Sequence, residues 1–279
     1  MIIEAGIADA YGAGFEFEKE TIIKAQNNLT EYKVHPRYKS IYKTYTDDTQ
    51  MAIAISEYIL EEKKWSKLEI ANKFVEVFKR DPRKGYSSRF YDILSTIKNG
   101  EELLKTLTLA SNRNGAAMRS YPIGVYKNEL EILEKSKLQA SITHNTKEGI
   151  LSSQVIALTA HYFLYNKGPK SELTQYLRNV LNFPFDFKKA STVKMEAIPT
   201  VNTVISLVLE HNSLAQCLKE AVYLGGDTDT VASLAVSLLS INYDSQKDLP
   251  NWMYDKLEDD TFGKSYLIEL DKKLISLML

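Results

Sequence analysis

Apolar residues recur at helical spacing along most of this chain. In residues 49–64, "TQMAIAISEYILEEKK", Met51, Ile55, Tyr58 and Ile59 share one face and charge gathers at the end. Residues 67–80, "KLEIANKFVEVFKR", repeat the pattern with Leu68, Ala71, Phe74, Val75 and Phe78. That run stops at "DPRKG", where proline and glycine end a helix. The same periodicity predicts helices within 87–100, 101–110, 147–168, 171–183, 199–212, 213–226, 228–241 and 264–279. Strand-like alternation is nearly absent. The segment "YKVHPRYKSIYKTY" holds at most a short extended piece. Loops are expected at 18–44, 81–87, 108–116 and 184–198. No fixed period repeats, and no linker rich in Pro, Gly or Ser divides the chain. The expectation is one all-α domain over residues 1–279.

Composition narrows the partners. The 35 basic and 36 acidic residues nearly cancel, so no overall field draws the chain to nucleic acid or an anionic membrane. The acidic residues must therefore be read locally. Cys217 is the single cysteine and falls among Leu214, Leu218 and Ala221, which predicts a buried structural thiol and excludes an intrachain disulfide. The opening "MIIEAGIADAYG" lacks the basic start of a secretory signal, and the most apolar runs are too short or too interrupted to span a bilayer. These features predict a cytoplasmic monomer.

Three polar clusters interrupt the apolar pattern. In "TYTDDTQM", Thr46, Asp47, Asp48 and Thr49 crowd the start of a helix. An N-cap with an acidic first turn is the plain reading, yet one cap needs one side chain. In "LGGDTDTVASLA", Asp227, Asp229 and Thr230 again precede an apolar helix, after two glycines that permit a tight turn. Two such clusters together offer carboxylate and hydroxyl oxygen suited to a pair of hard, magnesium-like cations. The third, "SNRNGAAMRSYPIG", is a small Gly/Asn loop opening a helix. It is either a plain junction or a cradle for an anion.

With these residues in view, the chain resembles the ADP-ribosylglycohydrolase family, which includes dinitrogenase reductase-activating glycohydrolases and ADP-ribosylarginine and ADP-ribosylserine hydrolases. "GIADAYGAGFEF" is similar to the family's opening helix, "TDDTQMAIA" to its first metal motif and "NGAAMR" to its ribose-phosphate loop. "ASITHNTKEG" resembles its Ser-x-Thr-His segment and "LGGDTDTVA" its second metal motif. Two departures stand out: Ala8 replaces the glycine usual before Asp9, and "HNTK" keeps His144 without a second histidine. Residues 18–44 form a lysine- and tyrosine-rich insert that does not align with the family motifs.

The resemblance implies a compact, all-helical orthogonal bundle with a binuclear magnesium centre, manganese being the other candidate. Thr46, Asp47 and Asp48 would hold one ion, Asp227 and Thr230 the other, and Asp229 would bridge. Glu16 would meet a metal or its water, and Glu16 or Asp47, with Asp48 beside it, would serve catalysis. The implied reaction hydrolyses the glycosidic bond between ADP-ribose and a modified arginine- or serine-type side chain, on a protein or a small molecule. The diphosphate would rest on Ser111, Asn114, Gly115 and Ala116, with Tyr86 or Tyr121 as adenine platform. His144 is expected as a buried, hydrogen-bonded group beside the site, before a helix capped by Asn145. A non-catalytic ADP-ribose-binding or toxin-immunity relative and a dinuclear nucleotide phosphoesterase remain alternatives.

Overall fold

A computed structural model describes residues 1–108 and 110–278. In chain order the described residues form α1 (Ile2–Ala13), α2 (Glu20–Gln26), α3 (Asp47–Leu60), α4 (Lys67–Arg80), α5 (Ser88–Thr96), α6 (Gly100–Thr106) and α7 (Glu129–Ala140). There follow α8 (Lys147–Leu164), α9 (Leu173–Leu181), α10 (Ala197–Glu210), α11 (Leu214–Tyr223), α12 (Thr228–Ile241), α13 (Asn251–Lys256) and α14 (Lys264–Ser276). No strand occurs among the described residues, only isolated bridges. The all-α expectation holds. Nor is any helix among them long and apolar enough to cross a membrane.

Caps set several boundaries. Ser66 accepts from the Glu69 N–H at 3.2 Å and starts α4 at Lys67. Along α4 the buried stripe is Ile70, Ala71, Phe74, Val75, Val77 and Phe78, whereas Leu68 in the first turn stays exposed. Thr146, not Asn145, caps α8: its hydroxyl accepts from the Gly149 N–H at 3.1 Å. Helix α10 begins two residues ahead of Pro199, which the first turn tolerates because its N–H would have no helical partner anyway.

Helix α12 lies at the centre, buried from Thr228 to Ser240. Its alternation of Ala and Ser with Val and Leu lets neighbours approach on every side, as an all-round apolar helix requires. Its most extensive partner is α1, and α10 and α11 also pack on it. The α1 contact is close because Gly12 has no side chain. A methyl group there would sit 2.6 Å from the Thr228 carbonyl oxygen and 2.7 Å from the Asp229 Cα. Thr228 Oγ1 fixes the junction by donating to the Gly12 carbonyl at 2.8 Å.

Residues 18–44, expected as loop, include α2 and are tied down at several points. Asn27 donates to the Lys219 carbonyl, Trp252 to the Leu29 carbonyl and Tyr32 to the Met253 carbonyl. The segment is built structure. Residues 193–197 connect two other loops: the Asp227 N–H donates to the Val193 carbonyl at 2.9 Å, and the Asn114 N–H to the Met195 carbonyl at 2.9 Å. The "NGAA" and "GGDTD" stretches are thereby held side by side.

Candidate functional site

Helix α1 organises both acidic clusters. Asp9, fully buried, accepts from the Thr46 hydroxyl at 2.8 Å and the Thr49 hydroxyl at 2.7 Å, and from the backbone N–H of both residues. It thus anchors the first turn of α3, where Asp47 and Asp48 stand. One turn further along α1, Gly12 admits the start of α12 with Asp227 and Asp229. Glu16 follows just beyond the helix end.

These groups converge on one cleft, whose cavity volume is about 240 Å³. Glu16, Asp47, Asp48, Asp227, Asp229 and Thr230 all line it. Carboxylate oxygens of Glu16, Asp227 and Asp229 come within 4.8 Å of one another, close enough to share a cation. Thr46 is fully buried and does not line the cleft; its hydroxyl gives its proton to Asp9, which leaves oxygen lone pairs for a cation.

Crowding acids in a dry place has an electrostatic cost. Burial raises the Asp227 carboxyl to about 7, with Glu16 repelling it, and raises Asp9 to about 6. Burial and neighbouring carboxylates push Asp47, Asp48 and Asp229 well above the usual range. Asp48 Oδ1 is buried without any hydrogen-bond donor. A solvent-free carboxylate oxygen with no partner, among four other acids, fits a divalent cation.

Two glycines shape the cluster. Gly226 adopts φ +81°, and a methyl group there would lie 1.7 Å from the Val193 carbonyl oxygen, so only glycine makes the turn into Asp227. Gly85 adopts φ +115° against Asp47; a methyl group would meet Asp47 Oδ1 at 2.1 Å.

The remaining expected residues divide. Ser111, Asn114, Gly115, Tyr86 and His144 line the cleft. Asn114 Nδ2 donates to Asp227 Oδ2 at 2.5 Å and so holds an acid in place. Asn114–Ala116 is a single 3-10 turn, not the opening of an α-helix, and Ala116 is fully buried. The Tyr86 hydroxyl donates to Gln50 Oε1 at 2.8 Å and its ring packs on Phe78 and Phe90. Tyr121 is fully buried outside the cleft wall and offers no ring face to a ligand. Burial drives that outcome: the 3-10 turn Tyr121–Val125 packs against α8.

His144 belongs to a directed chain. Arg119 Nη2 donates to Thr143 Oγ1 at 2.7 Å, and a guanidinium can only donate. Among the described residues the Thr143 hydroxyl has one acceptor for its proton, His144 Nδ1 at 2.7 Å, and donation there leaves Nε2 carrying the imidazole proton. Burial lowers the His144 pKa to about 3, so the ring is neutral. It rests against Gly115. Arg119, buried over the Phe74 ring and lowered by burial to about 9, also lines the cleft. Phe90, Ile93, Leu107 and Met118 add an apolar wall. Sequence reading missed Arg119, Thr143 and Gly85. Arg119 closes the "NGAAMR" motif and was within reach, but Gly85 looked only like a helix stop.

Comparison with known proteins points to one family. The family model for ADP-ribosylglycohydrolase matches residues 5–278. The chain is 25% identical over 318 residues to ADP-ribosylhydrolase ARH3 of Xenopus tropicalis, covering 90% of this chain and 88% of that protein. It is 21% identical over 271 residues to ADP-ribosylarginine hydrolase Tri1 of Pseudomonas putida (strain GB-1), covering 90% and 72%. A solved structure described as an ADP-ribosylglycohydrolase-related protein complex superposes with a TM-score of 0.75 at 19% identity, covering 100% of this chain and 96% of that one, which speaks for the fold. With a family model spanning nearly the whole chain, this protein belongs to the ADP-ribosylglycohydrolase family.

Proposed function

We propose that the chain is a hydrolase, dependent on magnesium or manganese, that frees ADP-ribose from a modified side chain of arginine or serine type. The observation that carries this reading is the meeting of both Asp/Thr clusters and Glu16 on one cleft, with Asp48 Oδ1 buried and unpartnered. Thr46, Asp47 and Asp48 would hold one ion, Asp227 and Thr230 a second, and Asp229 both. When bound, the two ions supply positive charge that orients ribose hydroxyls and acidifies water.

The chain's own residues do the rest. Glu16, half-buried at the cleft edge, takes the proton from the attacking water. The water oxygen bonds to the anomeric carbon as the bond to the side-chain nitrogen or oxygen breaks, and the proton that Glu16 took passes to that leaving atom, which restores the Glu16 carboxylate. Positive charge developing on the ribose is met by the carboxylates around it. Asn114 holds Asp227 in register. His144 Nε2–H and the Gly115 region meet the diphosphate, while Phe90, Ile93 and Tyr86 give adenine an apolar wall.

The direct test is release of free ADP-ribose from ADP-ribosylated arginine and serine peptides, with magnesium and with EDTA. Chromatography of the products separates ribosyl cleavage from pyrophosphate cleavage. Release from either peptide that EDTA abolishes is the expected result. AMP as the product, or no release, overturns the reading.

A further inference from the structure

The segment 18–44, which no motif explains, brings one side chain to Glu16 at the edge of the cleft. His35 Nε2 lies 2.5 Å from Glu16 Oε2, and the imidazole is almost completely buried. The other ring nitrogen fixes the direction of that bond. Two backbone N–H groups, of Arg37 at 2.9 Å and Tyr38 at 3.0 Å, both point at His35 Nδ1. Two donors on one nitrogen require its lone pair, so Nδ1 carries no proton and Nε2–H donates to Glu16. The loop that presents these donors is closed on itself: the His35 N–H donates to the Ile41 carbonyl at 3.0 Å, and the Ile41 N–H to Tyr38 at 2.9 Å.

Glu16 is held from its backbone side as well. Phe17, next in the chain, takes a left-handed φ of 52°, and its N–H donates to the Gly226 carbonyl at 2.8 Å. The peptide after Glu16 is thus pinned to the turn that carries Asp227, while its carboxylate is pinned by His35. One carboxylate oxygen is committed to the imidazole. The carboxylate still lies within 4.8 Å of ligand atoms of Asp227 and Asp229.

We propose that His35 is a positioning residue for Glu16: a neutral Nε2–H donor that holds the carboxylate by Oε2 and turns Oε1 toward the reacting water. This rests on the reading of Glu16 as the group that accepts the proton. The arrangement matches the general device in which an outer hydrogen bond fixes the orientation of a group acting in the site.

The test compares His35→Ala and His35→Gln with the parent in magnesium, with thermal unfolding to verify folding. His35→Ala is expected to lower kcat about 10- to 100-fold with KM nearly unchanged. His35→Gln, whose amide can still donate, is expected to recover much of the loss. In a Glu16→Gln background, His35→Ala is expected to cost nothing further, because it acts only through that carboxylate. Parental kcat in folded His35→Ala, or the same loss with Glu16 already replaced, overturns the proposal. Imidazole 15N NMR decides the matter without turnover, should the chain release no ADP-ribose. His35 is expected to show bare Nδ1 and protonated Nε2, with the Nε2–H signal moving in Glu16→Ala. Protonated Nδ1, or an Nε2–H signal indifferent to Glu16→Ala, overturns it.

Discussion

Thr49 Oγ1 donates to Asp9 Oδ2 at 2.7 Å, joining two helices across 40 residues of chain. With the Thr46 hydroxyl and two backbone N–H groups, it makes Asp9 the shared acceptor for the start of α3. Removing that acceptor strands buried donors, which is costly. Asp9→Ala is expected to lose on the order of 3 kcal/mol in urea unfolding. It is also expected to weaken magnesium binding, because Asp47 and Asp48 lose their footing. A parental urea midpoint would show that the clamp is dispensable.

The acids of the cleft oppose stability when no cation is present. Asp229 is buried, repelled by Glu16, Asp227 and Asp48, and its carboxyl is raised chiefly by burial. Asp229→Ala is therefore expected to raise the melting temperature in EDTA, by a gain of roughly 1–3 kcal/mol. The same substitution is expected to lower ADP-ribose release by about 100-fold or more. Opposite signs for stability and turnover are the signature sought. A fall in both would mean that Asp229 supports the fold instead.

Proton linkage gives a related expectation for the chelated protein. Asp227 at about 7 and Asp9 at about 6 lie above the ordinary carboxylate value, so the folded chain binds more protons than the unfolded chain between those limits. Stability without metal is expected to fall as pH rises from 4 to 7, and the raised carboxyls of Asp47, Asp48 and Asp229 add to that fall. Magnesium, binding the ionised form, is expected to stabilise most near pH 8 and least near pH 5. Melting curves at four pH values, with EDTA and with magnesium, check the slope. A metal-free stability that climbs through this window would contradict the sign.

The parts legible in the sequence are those written in short-range patterns. Helices α4 and α12 begin and end where periodicity places them, because Ser66 and the Asp/Thr cluster mark their starts. The acidic residues themselves stand out because two oxygen-rich clusters precede apolar helices. Helix α7 escapes notice, with only Ile132 and Ala140 among its apolar positions buried. The part played by His35 has no local signature either. It is one histidine in a lysine- and tyrosine-rich stretch, brought to Glu16 only when residues 27–43 are anchored on the C-terminal segment. Tyr121 shows the converse: an aromatic beside the right motif, drawn into the core by burial.

The chain from Arg119 through Thr143 to His144 makes a last expectation sharp. Thr143 Oγ1 is the relay: it accepts from a guanidinium, and Nδ1 is the one acceptor among the described residues for its own proton. Thr143→Val keeps the shape and removes that constraint, freeing His144 to place its proton on Nδ1 and leaving Nε2 unable to donate to a ligand. Arg119 still has the Gln139 side chain and carbonyl, so the fold is expected to lose only about 1–2 kcal/mol. If Nε2–H meets the substrate's phosphate, KM is expected to rise about tenfold, the worth of one hydrogen bond to a charged acceptor, with kcat nearly parental. Because burial holds the His144 pKa near 3, the pH–rate profile of neither form is expected to bend because of it between pH 5 and 8. Steady-state kinetics across that range measure both. An unchanged KM, or a bend near pH 6.5 that disappears in His144→Gln, would show that the ring is not the fixed neutral donor this hydrogen-bond chain makes it.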